Sequence, residues 1–415
     1  MTGAQLPSLG WFAFVPDLLD DPEAAGRIAA TPARWVNLAL TYHSARDVLP
    51  GNPRRSLRYL DGGRYFFRPD RRRYGGLPAP AVDPEIAAGD DPLPGVLARL
   101  GRAGLGFNAW VVLCHDPPLL PPHQDLCQRN VFGDPMLTDL CPASPLVRSW
   151  ALALIGDVAR LGPRAVLIES AHYHGLRHGY HHERYLFELS GPAELALSLC
   201  FCAHCEASAA AAGVDTAAAR GWARAQARRA LDGERGAGAP PDLAPGDLTG
   251  AGADAVRALI AHRCSVVTAL ATDLATALAA AGVGAVFLDP AGSAKGYADG
   301  RPAGAPAVES GWRFGVDVAA IAAAGLAVGV LGYARSPDRL RADLGAYRSL
   351  LPGAVLRLAL RPGPPDCSDA ANLAAKLTIA AEAGVSAVDI YHFGLVTRAA
   401  RDRVGAAVRG RAAAP

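Results

Sequence analysis

Apolar residues gather in eight short runs, at positions 9–15, 35–42, 107–114, 165–169, 283–289, 326–333, 355–360 and 387–392. Most runs are continuous rather than alternating, the pattern of strands covered on both faces. Helical stretches separate them, at 21–30, 93–102, 144–160, 254–281, 317–324, 337–351 and 368–383, with 395–409 closing the chain. Ser144-Pro145 reads as an N-cap followed by proline at the first helical position, and Gly282 as a glycine just past a helix end. Eight strands alternating with helices predict an α/β fold, a (β/α)8 TIM barrel of one domain spanning 1–415. A doubly wound open sheet is the alternative. It lacks its expected glycine-rich phosphate loop after an early strand.

Two stretches break the alternation and predict long insertions after strands 2 and 4. In the first, 43–83, the runs 56–60 and 64–68 flank Asp61-Gly-Gly63 and read as a lid hairpin. Arg54, Arg55, Arg71, Arg72 and Arg73 make this insertion either a solvated flap or a cover for a hydroxyl-rich or anionic substrate. The second, 172–250, holds a dense cysteine group, a helix at 216–231 and a Gly/Pro-rich connector at 233–250. Loops that follow barrel strands sit at the C-terminal face, so both insertions are expected to wall one cleft.

The formal net charge of +2 argues against a nucleic-acid surface. No basic-then-apolar leader is visible at the N-terminus, and no apolar run reaches the roughly 20 residues a bilayer span needs, so the expectation is a cytoplasmic protein without membrane contact. A homo-oligomer is compatible with this reading. Eight cysteines in a reducing compartment then read as buried thiols or metal ligands rather than disulfides.

Cys200-Phe-Cys-Ala-His-Cys205 places three thiols within six residues. A Cys-x-x-Cys pair can converge on one tetrahedral metal, with Cys200 as a third ligand. Cys141 is the best fourth candidate, with Cys127 and His204 as alternatives, and four sulfurs would close the site to water. Buried free thiols are the plain alternative. Together with Cys141-Pro-Ala-Ser-Pro-Leu-Val-Arg148, this cluster resembles the zinc-binding segments of the family-42 glycoside hydrolases, β-galactosidases on a barrel. The resemblance implies a structural Zn2+ held by Cys141, Cys200, Cys202 and Cys205, and an acid/base glutamate ending the fourth strand, where Glu169 stands. It covers roughly residues 139–205. Ile168 replaces the asparagine that family has before its acid/base, and the seventh run lacks the family's nucleophilic glutamate.

Val166-Leu-Ile-Glu169 is an apolar run ending in a carboxylate, followed by a segment rich in His and Tyr. Glycoside hydrolysis ordinarily uses two carboxyl groups flanking the scissile bond. Among strand-end carboxylates Asp116, Glu169, Asp289 and Asp389, the pair Glu169 and Asp289 is expected to be catalytic. Tyr42, His43, Asp116, His172, His174, Tyr333, Asp389 and Tyr391 lie at strand ends and are expected to bind a small glycoside or oligosaccharide. Five histidines between 172 and 182 also permit a metal-dependent hydrolase using Glu169 or Glu183. A non-catalytic sugar-binding barrel is the third reading.

Overall fold

The computed structural model describes residues 6–60, 63–79, 81–115, 123–177, 184–233, 242–295 and 299–412. Eight parallel strands close into a barrel: β1 (Ser8–Phe14), β2 (Ala33–Ala39), β3 (Gly106–Val112), β4 (Ala165–Glu169), β5 (Gly284–Asp289), β6 (Ala327–Leu331), β7 (Leu356–Leu360) and β8 (Ala387–Ile390). Each pairs with its neighbour in sequence, and β8 returns to β1. All eight apolar runs are therefore barrel strands, and the α/β TIM barrel is the fold. Helices Leu93–Arg102, Pro145–Ala159, Ala253–Ala280, Val318–Ala323, Pro337–Leu350 and Ala370–Glu382 lie between strands, and Arg398–Ala412 follows the last.

The terminating residues act mostly as their chemistry dictates. Gly282 has φ of 71° and its amide bonds back to the Ala279 carbonyl, which lets the long helix turn into β5. Ser144 occupies the N-cap position with Pro145 first in the helix, but its hydroxyl makes no capping bond. Helix Ala253–Ala280 is long and apolar enough to cross a membrane by length and composition, which the count of uninterrupted apolar residues overlooked. Here it packs against helix Pro145–Ala159, helix Thr216–Leu231 and β5.

A polar layer sits low inside the barrel. Asp389 accepts from the Trp35 indole at 2.8 Å, from Asn37 at 2.6 Å, and from both Nε and Nη2 of Arg357 at 2.9 and 2.7 Å. Asn108 donates to Asn37 at 2.9 Å. The indole of Trp35 lies across Gly10, 1.9 Å from where a β-carbon would stand, so any side chain at position 10 would displace it. This layer holds Asp389, expected as a substrate contact, within the barrel. Its position is level with Gly10, two residues below Tyr391, and its lone pairs are taken.

The first insertion departs from the expected hairpin. Leu57–Leu60 pairs with Ala45–Val48, and Arg64–Tyr65 pairs with Thr41–Tyr42, so the two runs do not pair with each other. Asp61 and Gly62 of the expected turn lie outside the described residues. Register sets Arg58 opposite Asp47, and the buried guanidinium bridges Asp47 and Asp17 at 2.8 Å each. Arg55 is likewise held by Asp20 and Glu85. Much of the arginine content of this insertion therefore stitches it to the barrel.

Removing Asp389 should leave Arg357 charged and partly buried without its counterion. Asp389→Ala is expected to destabilise the fold by about 3–5 kcal/mol in denaturant unfolding. An unchanged midpoint would show that the polar layer is dispensable.

Candidate active site

The β4 strand is buried from Val166 to Ile168 and ends at the half-buried Glu169. Register aligns Leu167 with Trp110 and Glu169 with Val112 on β3. Trp110 and Glu169 both reach into the barrel, and the indole donates to Glu169 Oε2 at 2.5 Å. The next residue, Ser170, has φ of 58°, the sole positive value at a non-glycine position among the described residues. A left-handed serine costs on the order of 1 kcal/mol and bends the chain away at once. The turn brings His172-Tyr173-His174 back beside the end of β3.

Burial pushes the Glu169 carboxyl above its ordinary value near 4.5, against the opposing pull of the Trp110 hydrogen bond and of nearby His115. Aromatic side chains enclose it. Tyr42 and Tyr391 share a hydroxyl contact of 3.1 Å, and the Trp110 ring meets them edge-on at 4.9 and 5.9 Å. Burial and the neighbouring Glu169 carboxylate raise both phenols, so they remain protonated donors at neutral pH. Tyr333 stands 5.9 Å from Tyr391 and carries the Arg361 guanidinium over its ring at 4.4 Å. His43 stacks on Tyr42 at 4.2 Å. The structure thus brings Glu169, Tyr42, His43, Tyr333 and Tyr391 to one mouth, at the C-terminal ends of the strands.

Asp289 is not brought to Glu169. The β4–β5 register pairs Ile168 with Phe287, which sets Glu169 level with Leu288. Leu288 points inward beside Gly329, so the alternation turns Asp289 outward. There it accepts from the Tyr347 hydroxyl at 2.6 Å and from the Ala291 amide at 2.9 Å. The expected catalytic pair is corrected by one residue of pleat: Asp289 ties β5 to the helical layer. Asp116 and Glu183 lie outside the described residues.

A second polar group stands beside this mouth. His115, just past β3, has Nδ1 at 3.1 Å from Asp139 Oδ1 and 3.1 Å from the Thr138 carbonyl. His174 Nδ1 lies 3.8 Å from the same carboxylate oxygen. The rings of His115 and His174 stack at 4.7 Å, as do those of His172 and His174. The sequence reading had His172 and His174 as substrate contacts; both are buried in this column. Asp139 and Trp110 were missed. Asp139 is two residues before Cys141, and the alternation along β3 marks Trp110 as an inward neighbour of β4.

Behind the loop lie the four cysteines. Cys141 Sγ is 3.4 Å from Cys205, 3.5 Å from Cys202 and 4.0 Å from Cys200. Tetrahedral coordination with metal–sulfur bonds of about 2.3 Å needs sulfurs about 3.8 Å apart, so the quartet fits a metal ion. Cys127, an alternative ligand, instead donates to the Gln124 carbonyl at 2.8 Å. A neighbouring side chain supports the fit. Arg263 is 1% exposed and none of its three guanidine nitrogens has a hydrogen-bond partner among the described residues. Its guanidinium lies 4.3 Å over the ring of Tyr173, whose hydroxyl is 3.5 Å from Cys205 Sγ. Were the quartet to hold a divalent ion through four thiolates, its net negative charge would balance this buried cation.

A groove of about 820 Å3 lies elsewhere, in the outer layer, lined by residues including Ile260, Cys264, Trp312 and Val318. It does not include Glu169.

No family model matches the chain, and no curated protein matches it. Solved structures do match. The catalytic domain of a β-amylase from Paenibacillus polymyxa superposes with a TM-score of 0.56 at 10% identity, covering 98% of this chain and 99% of that one. α-L-Fucosidase isoenzyme 2 from Paenibacillus thiaminolyticus gives 0.55 at 10% identity, over 99% of this chain. The chain spans about half of that fucosidase, 49% of its length. A β-galactosidase from Marinomonas ef1 gives 0.53 at 12% identity, with 97% of this chain and 59% of that one covered. At these identities the likeness is one of fold, the closed (β/α)8 barrel.

Proposed function

We propose that this barrel hydrolyses a glycosidic bond in a small glycoside or oligosaccharide, with Glu169 as the proton donor. The observation that carries the reading is the Glu169 carboxyl itself, desolvated at the lip of a buried strand, held by one indole and faced by phenols. A general acid must be protonated near working pH, and burial supplies that. Tyr42 and Tyr391, both half-buried at the mouth, offer ring faces and phenolic donors suited to a sugar. Glu169 gives its proton to the leaving oxygen as the C–O bond breaks, and water then adds to the anomeric carbon and gives its proton to the Glu169 carboxylate, which regenerates the acid. The polar counterpart is the His115–Asp139 pair, whose imidazole is close enough to act on the Glu169 charge. Asp289 takes no part. The fold likeness to β-amylase, α-L-fucosidase and β-galactosidase supports a carbohydrate substrate.

Glu169→Gln keeps the Trp110 hydrogen bond and removes proton transfer. For a glycoside with a poor leaving group the rate should fall about 10²–10⁴-fold, and much less for an activated aryl glycoside. Equal rates for wild type and variant on the poor leaving group would refute the assignment.

The same carboxyl predicts a pH dependence of stability. Its pKa is raised on folding, so its contribution is fully present below about 4.5 and is lost as pH rises through the raised value. Glu169→Gln should abolish that loss, and unfolding of the two proteins should diverge with rising pH in the variant's favour. Parallel stability curves would show that Glu169 is not desolvated.

The metal at Cys141, Cys200, Cys202 and Cys205 is proposed to be a structural zinc, since four thiolates leave no open position and suit a soft tetrahedral site. It would hold the insertion behind the Glu169 loop through Cys205 and Tyr173. Cys202→Ser should lower the melting temperature and the bound zinc while changing the rate constant of the folded fraction little. Wild-type protein purified under reducing conditions without stoichiometric zinc would contradict this.

A further inference from the structure

We propose that His115, Asp139 and His174 form a second metal centre, distinct from the cysteine quartet, that takes one divalent first-row ion through two imidazoles and one carboxylate. The three residues each place one ligand atom within 4.8 Å of the other two, and all three are buried. His115 Nδ1 lies 3.1 Å from one Asp139 oxygen and 3.1 Å from the Thr138 carbonyl, and His174 Nδ1 lies 3.8 Å from the same carboxylate oxygen. Bonds of about 2.0–2.2 Å to nitrogen and oxygen put ligand atoms about 3–4 Å apart, so both separations from that oxygen already suit an ion.

The chain delivers these ligands on rigid segments. His115 follows β3, and its amide-side neighbour Cys114 bonds to the Ser170 carbonyl at 3.0 Å. Asp139 belongs to the strand Pro135–Leu140, which continues directly into Cys141. His174 follows Tyr173, whose ring reaches Cys205. The two groups therefore share the segment that carries Asp139 and Cys141, and Tyr173, beside His174, touches Cys205. Thr138 Oγ1 donates to the second oxygen of Asp139 at 3.1 Å, the kind of outer partner that aims a ligating carboxylate. His172, stacked on His174, directs its Nδ1 to the Tyr173 carbonyl at 2.7 Å.

The rings of His115, His174 and His172 form one stacked column, and the first two reach the Asp139 carboxylate. Two histidines and one carboxylate leave further coordination positions, and the site adjoins the mouth through His43, whose ring is 5.0 Å from that of His115. Water or the hydroxyl oxygens of a bound carbohydrate are the ligands that chemistry admits. The inference stands on the ligand geometry and does not require Glu169 to be a proton donor.

Mn2+ distinguishes the two centres, because it prefers nitrogen and oxygen over thiolate. Full-length protein with its cysteine-bound metal in place is titrated with Mn2+ and followed by electron paramagnetic resonance and calorimetry. The expected result is one equivalent bound, with nitrogen couplings from imidazole. His174→Gln and Asp139→Asn should each weaken binding by at least about 100-fold, beyond the 10–100-fold that loss of an outer-shell partner costs. The metal content of the cysteine quartet reports that each variant is folded. Should a variant fail to fold, the wild-type couplings decide alone. No bound Mn2+, Zn2+ or Co2+ beyond the cysteine-bound equivalent overturns the proposal, as does Mn2+ without imidazole couplings or full binding by folded variants. Metal binding with no glycosidase activity would refute the hydrolase reading and leave this one standing; glycosidase activity in protein that binds no second ion when titrated would do the reverse.

Discussion

The Trp110 indole bonded to Glu169 fixes the place where this barrel meets its surroundings. One strand ends in a carboxylate that cannot retreat into the apolar core and is not free to swing into solvent. Ser170 turns the chain immediately afterwards, in a left-handed conformation that serine adopts only at a cost. The return path lays His172, Tyr173 and His174 against the ends of β3 and the strand before Cys141. The mouth, the histidine column and the cysteine quartet are thus consequences of one strand end.

Charge placement inside the molecule follows a consistent logic. Asp389 is low in the barrel and saturated by four donors, so it builds the floor. Asp17 and Asp47 are bound to Arg58 and fasten the first insertion. Asp289 faces the helices and holds Tyr347. Glu169 accepts from the Trp110 indole, and burial raises its carboxyl as it raises those of Asp289 and Asp47. Arg263 is the converse, a buried cation without a hydrogen-bond partner among the described residues, lying over the Tyr173 ring beside the cysteine quartet.

Much of the architecture was legible because it depends on local pattern. Continuous apolar runs at barrel spacing marked all eight strands, and cysteine spacing with a proline-flanked upstream partner marked the quartet. Parity was the limit. Asp289 ends its run just as Glu169 does, but whether a strand's last residue faces inward depends on register against its neighbours. Only the β4–β5 pairing sets that register. The hairpin failed for a similar reason: Asp61-Gly-Gly63 signals a turn and says nothing of which strands lie beside it. Asp139 was invisible as a functional residue because its partners, His115 and His174, come from two other segments. Trp110 was hidden as one more aromatic in an apolar run, although alternation along β3 places it beside Glu169.

The central claim is that the mouth around Glu169 is where a sugar binds and is cleaved. A crystal structure of Glu169→Gln with a bound oligosaccharide tests it most directly. The account predicts a glycosidic oxygen within hydrogen-bonding distance of residue 169, with a sugar ring against Tyr42 or Tyr391. A ligand seated in the outer groove beside Cys264 and Trp312, with the mouth empty, would contradict it.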